Sequence, residues 1–479
     1  MDCGHLARLG RPLKQVVLGA LLALSSSVAA QAPAAERCDV THYGARSDGK
    51  TLATSAIQRA IDACAIAGGG IVLLPRGTFV SGTLVLKDGI TLRIAPGAVL
   101  MASPRIRDFT PYPPEDVRLI GIDGSTQNKG NGPYHLVQAS GARHITIDGG
   151  GTIDGNGRTY WDSDPQKVFI SRRPRPSPLI EFVGSADIRI DNVTIRNAAG
   201  WTVHPLESRG IRMNGLGIVN DPRGPNTDGI DVDSSQDVTI RDSNIDAGDD
   251  CVVLKTTGRR GARPAPPTRN VIVSGLTCST DDQGIKIGTE TLGDIGDVLF
   301  TDILIYRSER QYRRPTAGIS ISMVDGSVLQ NILVSNVVIR DAATPFFLRL
   351  GNRGRGQKVP IPGRATNIML SNIVATGGTL ASSITGLPDS PIENVSLSDI
   401  QIVMAGGGKR AAIIVPEAAG DYPQAPMFGP LPASGLYARH VDGLALRNVE
   451  FQTAKPDTRP PVVLDDVRLA PNQEMGSSR

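Results

Sequence analysis

Apolar and polar positions alternate in short runs along most of this chain, and from about His144 the runs repeat. HITIDGGGTIDG, DIRIDNVTIRN, GIRMNGLGIVN, DVTIRDSNIDAG, NVIVSGLTCST, DVLFTDILIYRS, NILVSNVVIRD, NIMLSNIVATG, NVSLSDIQIVM and GLALRNVEFQT share one form. Each is two strand-like pieces joined by a polar step of Asn, Asp, Ser or Gly. Copies start about 23 to 36 residues apart where no long loop intervenes, a period that marks a solenoid. The Leu spacing of leucine-rich repeats and the helices of ankyrin and tetratricopeptide repeats are both missing. Three short strands per coil predict an all-β fold, a parallel β-helix. Inward side chains then stack on their equivalents about 4.8 Å along the axis, and Asn ladders line the turns.

One stretch follows a different period. In TSAIQRAIDACA, Ile57, Ala60, Ile61 and Cys64 recur at helical spacing, which predicts an amphipathic helix from Thr54 to Ala65 with Thr54 as its N-cap. A solenoid with an open end exposes its core and strand edges, so this helix is expected to cap the N-terminal end, the alternative being a place on the flank. Pro-, Gly- and Arg-rich interruptions at 104–134, 160–178, 259–269, 307–316, 351–364 and 417–436 read as loops that wall a cleft. The proline-rich tail at 456–479 is read as lying outside a single β-helix domain spanning 31–455.

Composition agrees with this architecture. Gly is abundant (54 residues) and aromatics make up only 4%, which favours many short strands and tight turns. Fifty Lys and Arg against 47 Asp and Glu leave no basic stripe, so nucleic acid is not expected as a partner. At the N-terminus Arg8, Arg11 and Lys14 precede VVLGALLAL and then SSSVAAQA, the layout of a signal peptide cleaved near Ala30. The apolar run is too short for a membrane anchor. Export to the periplasm or medium would leave Cys38, Cys64, Cys251 and Cys278 in an oxidising compartment, where Cys38–Cys64 and Cys251–Cys278 are plausible pairs among three connectivities and some thiols could stay reduced.

The densest chemistry is the stretch NTDGIDVDSSQDVTIRDSNIDAGDDCVVLK, Asn226 to Lys255. Asp228 precedes Asp249 and Asp250 by one repeat, so a β-helix sets the NTD and GDD turns side by side. Crowded carboxylates raise one another's pKa, and one protonated and one ionised carboxyl flanking a glycosidic bond are what its hydrolysis requires. Asp231 and Asp233 lie along the following strand and are expected to face solvent or a ladder. The bland reading of the whole cluster is ordinary turn chemistry.

NTDGIDVD, GDDCVVLK and QGIKIGTE in that order, together with VTHYGARSDGKT and AIDACAIAGGGIVLLPRGTF, resemble glycoside hydrolase family 28, the polygalacturonases and their relatives. The resemblance implies a right-handed parallel β-helix that cleaves pectic, galacturonate-containing chains by inversion without a metal or other cofactor. It implies Asp249 as general acid, Asp228 and Asp250 as the carboxylates that activate water, and a Cys251–Cys278 disulfide. A monomer with no partner but its glycan is expected.

Two departures fall on substrate-facing positions. Gln283 stands where the family's G-H-G histidine is expected, and GISISM, Gly318 to Met323, stands in place of the basic R-I-K. These departures resemble rhamnogalacturonan-directed and other divergent relatives, while the large insertions, by blocking one end of the groove, point to exo action. Replacement basic groups are sought at Lys286, Lys255, Arg349 and Arg353; each taken singly reads more readily as a solvated surface charge, and Lys286, within the QGIKIG turn, is the strongest candidate. Trp201 and His204 in GWTVHP are candidates for stacking on a pyranose and bonding a hydroxyl, against packing under a loop and capping a turn. Tyr160 and Trp161 are a second aromatic pair with the same two readings. Two rival functions stay open: a calcium-dependent, pectate-lyase-like enzyme using the carboxylates as ligands, and a non-catalytic carbohydrate-binding β-helix.

Overall fold

The computed structural model describes residues 37–112, 132–162, 170–171, 174–257, 265–411 and 413–471; the leader and its cleavage position lie outside them. Thirty strands form one continuous sheet, and the registers within it are parallel from Arg37–Asp39 at one end to Val462–Leu469 at the other. Each coil pairs only with the coils before and after it, which makes the fold a parallel β-helix.

The alternation seen in the sequence becomes the wall of this helix. One row of aliphatics runs along the interior in direct register: Ile145, Ile188, Ile211, Val238, Val271, Val298, Ile332, Ile368, Val395 and Leu444. All ten are essentially inaccessible to solvent. Each buried Ile, Val or Leu contributes about 1.5–3 kcal/mol relative to exposure, so the core is a sum of small equal terms along the axis.

The polar step between strand pieces is where the chain bends. Asp242, Asp302, Asn336, Asn372, Asp399 and Asn448 all take left-handed backbone conformations, with φ between 50° and 58°. Asn and Asp tolerate this region because their short side chains bond locally. Here they also bond between coils: Asn372 Nδ2 donates to Asn336 Oδ1 (3.1 Å), and Asn336 Nδ2 to Asp302 Oδ1 (3.0 Å). A second ladder runs Asn394–Asn367–Asn331–Asp297.

Helix Thr54–Ile66 buries Ala56, Ile57, Ala60, Ile61 and Cys64 against the first coil, and a disulfide joins Cys64 to Cys38. Thr54 is not its N-cap. Ala53 occupies that position, and the Thr54 hydroxyl accepts from Gly82 N (2.7 Å). The far end also differs from expectation: Val462–Leu469 adds a strand to Leu436–Lys455, so the coils continue past Lys455 into the proline-rich tail. Among the described residues no helix is long and apolar enough to cross a membrane.

Candidate active site

The NTD and GDD turns stack because their backbones bond directly. Gly229 N donates to Asp250 O (2.8 Å) and Ile230 N to Cys251 O (2.9 Å), while Cys251 N reaches on to Gln283 O (3.0 Å) in the next coil. Asp228 O accepts from Thr202 N and Oγ1, at 3.1 and 2.6 Å, in the coil before. The approach is too close for a side chain at Gly229, where a Cβ would sit 2.4 Å from Cys251 O. A disulfide between Cys251 and Cys278 ties the GDD turn to the following coil.

This stacking gathers Asp228, Asp249 and Asp250, one carboxylate oxygen from each lying within 4.8 Å of the others. Asp228 and Asp250 are buried, and Asp249 is partly exposed toward the groove. Asn226 Nδ2 donates to Asp249 Oδ2 (3.3 Å), and Lys286 Nζ to Asp250 Oδ2 (2.7 Å). Burial, then the charges of Asp249 and Asp231, push Asp228 well above the usual carboxylate range. Burial, then Asp250 and Asp282, do the same to Asp249. Asp250 is pushed up by burial only to about 6, because Lys286 opposes the rise. Of the three, Asp250 is therefore the readiest to ionise.

The basic candidates divide. Lys286 is buried beside Asp250, and its charge is held well above the ordinary Lys range by Asp250 despite burial. Lys255 is no surface charge: it pairs with Asp231 Oδ1 at 2.7 Å and sits 3.6 Å from the centre of the Trp201 ring. Arg349 is buried and donates to the carbonyls of Gly386, Glu417 and Ala418, which makes it a loop anchor. Arg353 forks onto Asp325 and donates to Thr289 Oγ1 and O.

Several expectations are corrected. Asp231 and Asp233 do not face solvent; both are completely buried. His204 is buried too, with Nδ1 2.8 Å from Glu181 Oε1 and Nε2 3.5 Å from Asp233 Oδ2, so it meets carboxylates of the wall and not a sugar. Asp233 and Glu181 raise the His204 pKa to about 9 against the pull of burial. Trp201 is buried edge-on to His204, with Lys255 over its face. Tyr160 and Trp161 are packing residues, bonded to Ser103 O and Ala199 O. Gln283 is buried at the start of the strand that carries Lys286, with its Oε1 unbonded among the described residues. Ser320, directly in register with Lys286, and Ser322, in register with Arg349, carry unbonded hydroxyls at the positions where the basic pair was sought.

Sequence reading missed three participants. Glu181, between core residues Ile180 and Phe182, links His135 to His204. Glu290 is held at about 2 against burial by Lys255, Arg353, Arg355 and Lys286. Tyr422 arrives from a distant loop that has no repeat to mark it. Only the unusual acid in the LIEFV run gave any signal.

With this geometry in place, comparison with known proteins decides the family: the model for "Glycosyl hydrolases family 28" matches residues 110–419. The chain belongs to that family. A "Probable polygalacturonase" from Vitis vinifera is 31% identical over 387 residues, covering 78% of this chain and 76% of the relative. An "Exo-poly-alpha-D-galacturonosidase" from Dickeya chrysanthemi is 27% identical, covering 73% of this chain and 64% of that protein. The crystal structure of a hyperthermoactive exopolygalacturonase from Thermotoga maritima superposes with a TM-score of 0.68 over 87% of this chain and 92% of that one, at 21% identity. The shared fold is the right-handed parallel β-helix, and this family 28 chain is a glycoside hydrolase.

Proposed function

We propose that this enzyme hydrolyses α-glycosidic bonds of pectic, galacturonate-containing chains by single displacement, with Asp249 as general acid. The observation that carries the reading is the trio itself: three carboxylates from two successive coils, graded in proton affinity by burial and by Lys286. Asp249 gives its proton to the glycosidic oxygen as the bond to C1 breaks. Asp250 and Asp228 hold a water on the opposite face, and Asp250, the readier to ionise, takes its proton as the water oxygen attacks C1, after which that proton returns to Asp249 through solvent.

Exo action is the finer reading. At one end of the sheet face, Tyr112 packs over Val183 and Leu206. At the other, the loop ahead of Leu436 covers Phe347 and Tyr437 with Val415, Phe428 and Leu431. The uncovered face is limited to the coils between them, room for a chain end better than for a chain interior. The exo activity named for the Dickeya relative agrees. We further take the enzyme to act as a monomer, exported by the leader ending near Ala30.

The experiment is a panel of homogalacturonan, rhamnogalacturonan I backbone and galacturonate oligomers, assayed for new reducing ends with and without chelator. Hydrolysis that survives chelation supports the reading. Ultraviolet-absorbing unsaturated products that need added calcium would replace it with lyase chemistry.

A further inference from the structure

Beyond the carboxylates and their lysine, one exposed aromatic near the catalytic coils has no part in the mechanism so far. We propose that Tyr422 is a substrate-contacting residue, the platform on which the sugar ring beyond the carboxylate trio, toward the C-terminal coils, is stacked. The proposal rests on the hydrolase reading for the identity of that sugar as part of a pectic chain.

Three observations carry it. First, Tyr422 is 49% exposed in a chain whose large aromatics are mostly buried. An exposed ring beside a polar site offers a face on which a sugar can pack. Second, its place is tied to the catalytic coils by successive contacts. The Arg353 guanidinium lies 5.9 Å from its ring centre, Arg353 bonds Thr289, and Thr289 lies on the same strand as Lys286, whose ammonium bonds Asp250. The electrostatics agree: the charges acting on the Tyr422 hydroxyl are those of Lys286, Glu290, Asp250 and Asp282.

Third, the segment that carries Tyr422 is held on both sides. Arg349 donates to Glu417 O (2.6 Å), Asn352 N donates to Ala419 O (2.6 Å), and Ala425 and Phe428 are buried in the apolar cluster beyond. Ala418 takes a left-handed φ of 47°, a conformation unfavourable for a residue with a Cβ that persists where its surroundings enforce it. An aromatic fixed in this way gives up little entropy when a sugar packs on it.

The test measures binding of galacturonate trimer by titration calorimetry in an Asp249→Asn background, and steady-state kinetics in the otherwise native enzyme. Tyr422→Ala is expected to weaken binding about ten-fold and to raise KM with kcat little changed, while Tyr422→Phe stays near native and thermal unfolding does not move. Unchanged trimer affinity in Tyr422→Ala would overturn the proposal, as would a loss accompanied by lower thermal stability that Tyr422→Phe fails to rescue. If the native enzyme binds the trimer without cleaving it and Tyr422→Ala weakens that binding, the platform stands and the hydrolase reading falls. If it neither binds nor cleaves any member of the panel, both fall.

Discussion

Lys286 Nζ lies 2.7 Å from Asp250 Oδ2 across one coil, both groups out of contact with bulk water. Because the ammonium lowers a pKa that burial raises, the acid limb of activity should fall near pH 6, where Asp250 loses its charge. Activity should decline again at higher pH, where Asp249 gives up the proton it must donate. Lys286→Met removes the lowering influence, so the acid limb of kcat/KM should move above pH 6, with kcat reduced about 10²-fold. A pH–rate profile checks both, and an unmoved limb would separate Asp250 from the rate.

The stereochemistry is a separate prediction. Simple inverting pairs hold their carboxyls roughly 6.5–9.5 Å apart and retaining pairs about 5–5.5 Å, and the nearest oxygens here lie within 4.8 Å. Spacing alone favours retention. The third carboxylate alters the geometry, because Asp228 and Asp250 together can hold a water that a pair could not. Proton NMR of the first-formed product should show the β-anomer from an α-linked substrate; the α-anomer would mean a covalent intermediate.

Buried charge along the wall makes stability depend on pH. His204 has its pKa raised from 6.5 to about 9, so its contribution is complete below about pH 6.5 and is lost as pH rises through about 9. Glu181 has its pKa lowered from 4.5 to about 2, so its share is complete above about pH 4.5 and is lost as pH falls through about 2. Thermal unfolding should therefore be highest between about pH 4.5 and 6.5 and decline from there toward pH 9. His204→Phe should be less stable in that window and show a shallower decline, the part due to buried Asp228 and Asp249 remaining.

The proposed closure of both ends of the sheet face predicts short products. Time-resolved sizing of a homogalacturonan digest should show mono- or disaccharide accumulating while viscosity stays high. A rapid fall in viscosity at few cleaved bonds would show that the groove admits chain interiors.

How far the chain could be read without its structure follows from where each signal resides. Coils, turn ladders and the NTD–GDD juxtaposition are local patterns repeated at a fixed period, so Asn336 and Asn372, or Asp228 and Asp249, could be placed together from spacing alone. The burial of Asp231 and Asp233 is not legible because alternation tells inward from outward, and an outward position on this face is itself covered. Their partners are Lys255, His204 and Thr257, contacts that no local pattern encodes. Tyr422 was missed for the same reason: it lies 172 positions beyond Asp250 in the numbering and reaches the groove through a loop outside the repeat.

The central claim is that Asp249 delivers the proton to the leaving oxygen. Asp249→Asn keeps the shape and removes the proton, so kcat on galacturonate oligomers should fall about 10³-fold or more while trimer binding is retained. Turnover of every pectic substrate at the native rate by Asp249→Asn would contradict the account.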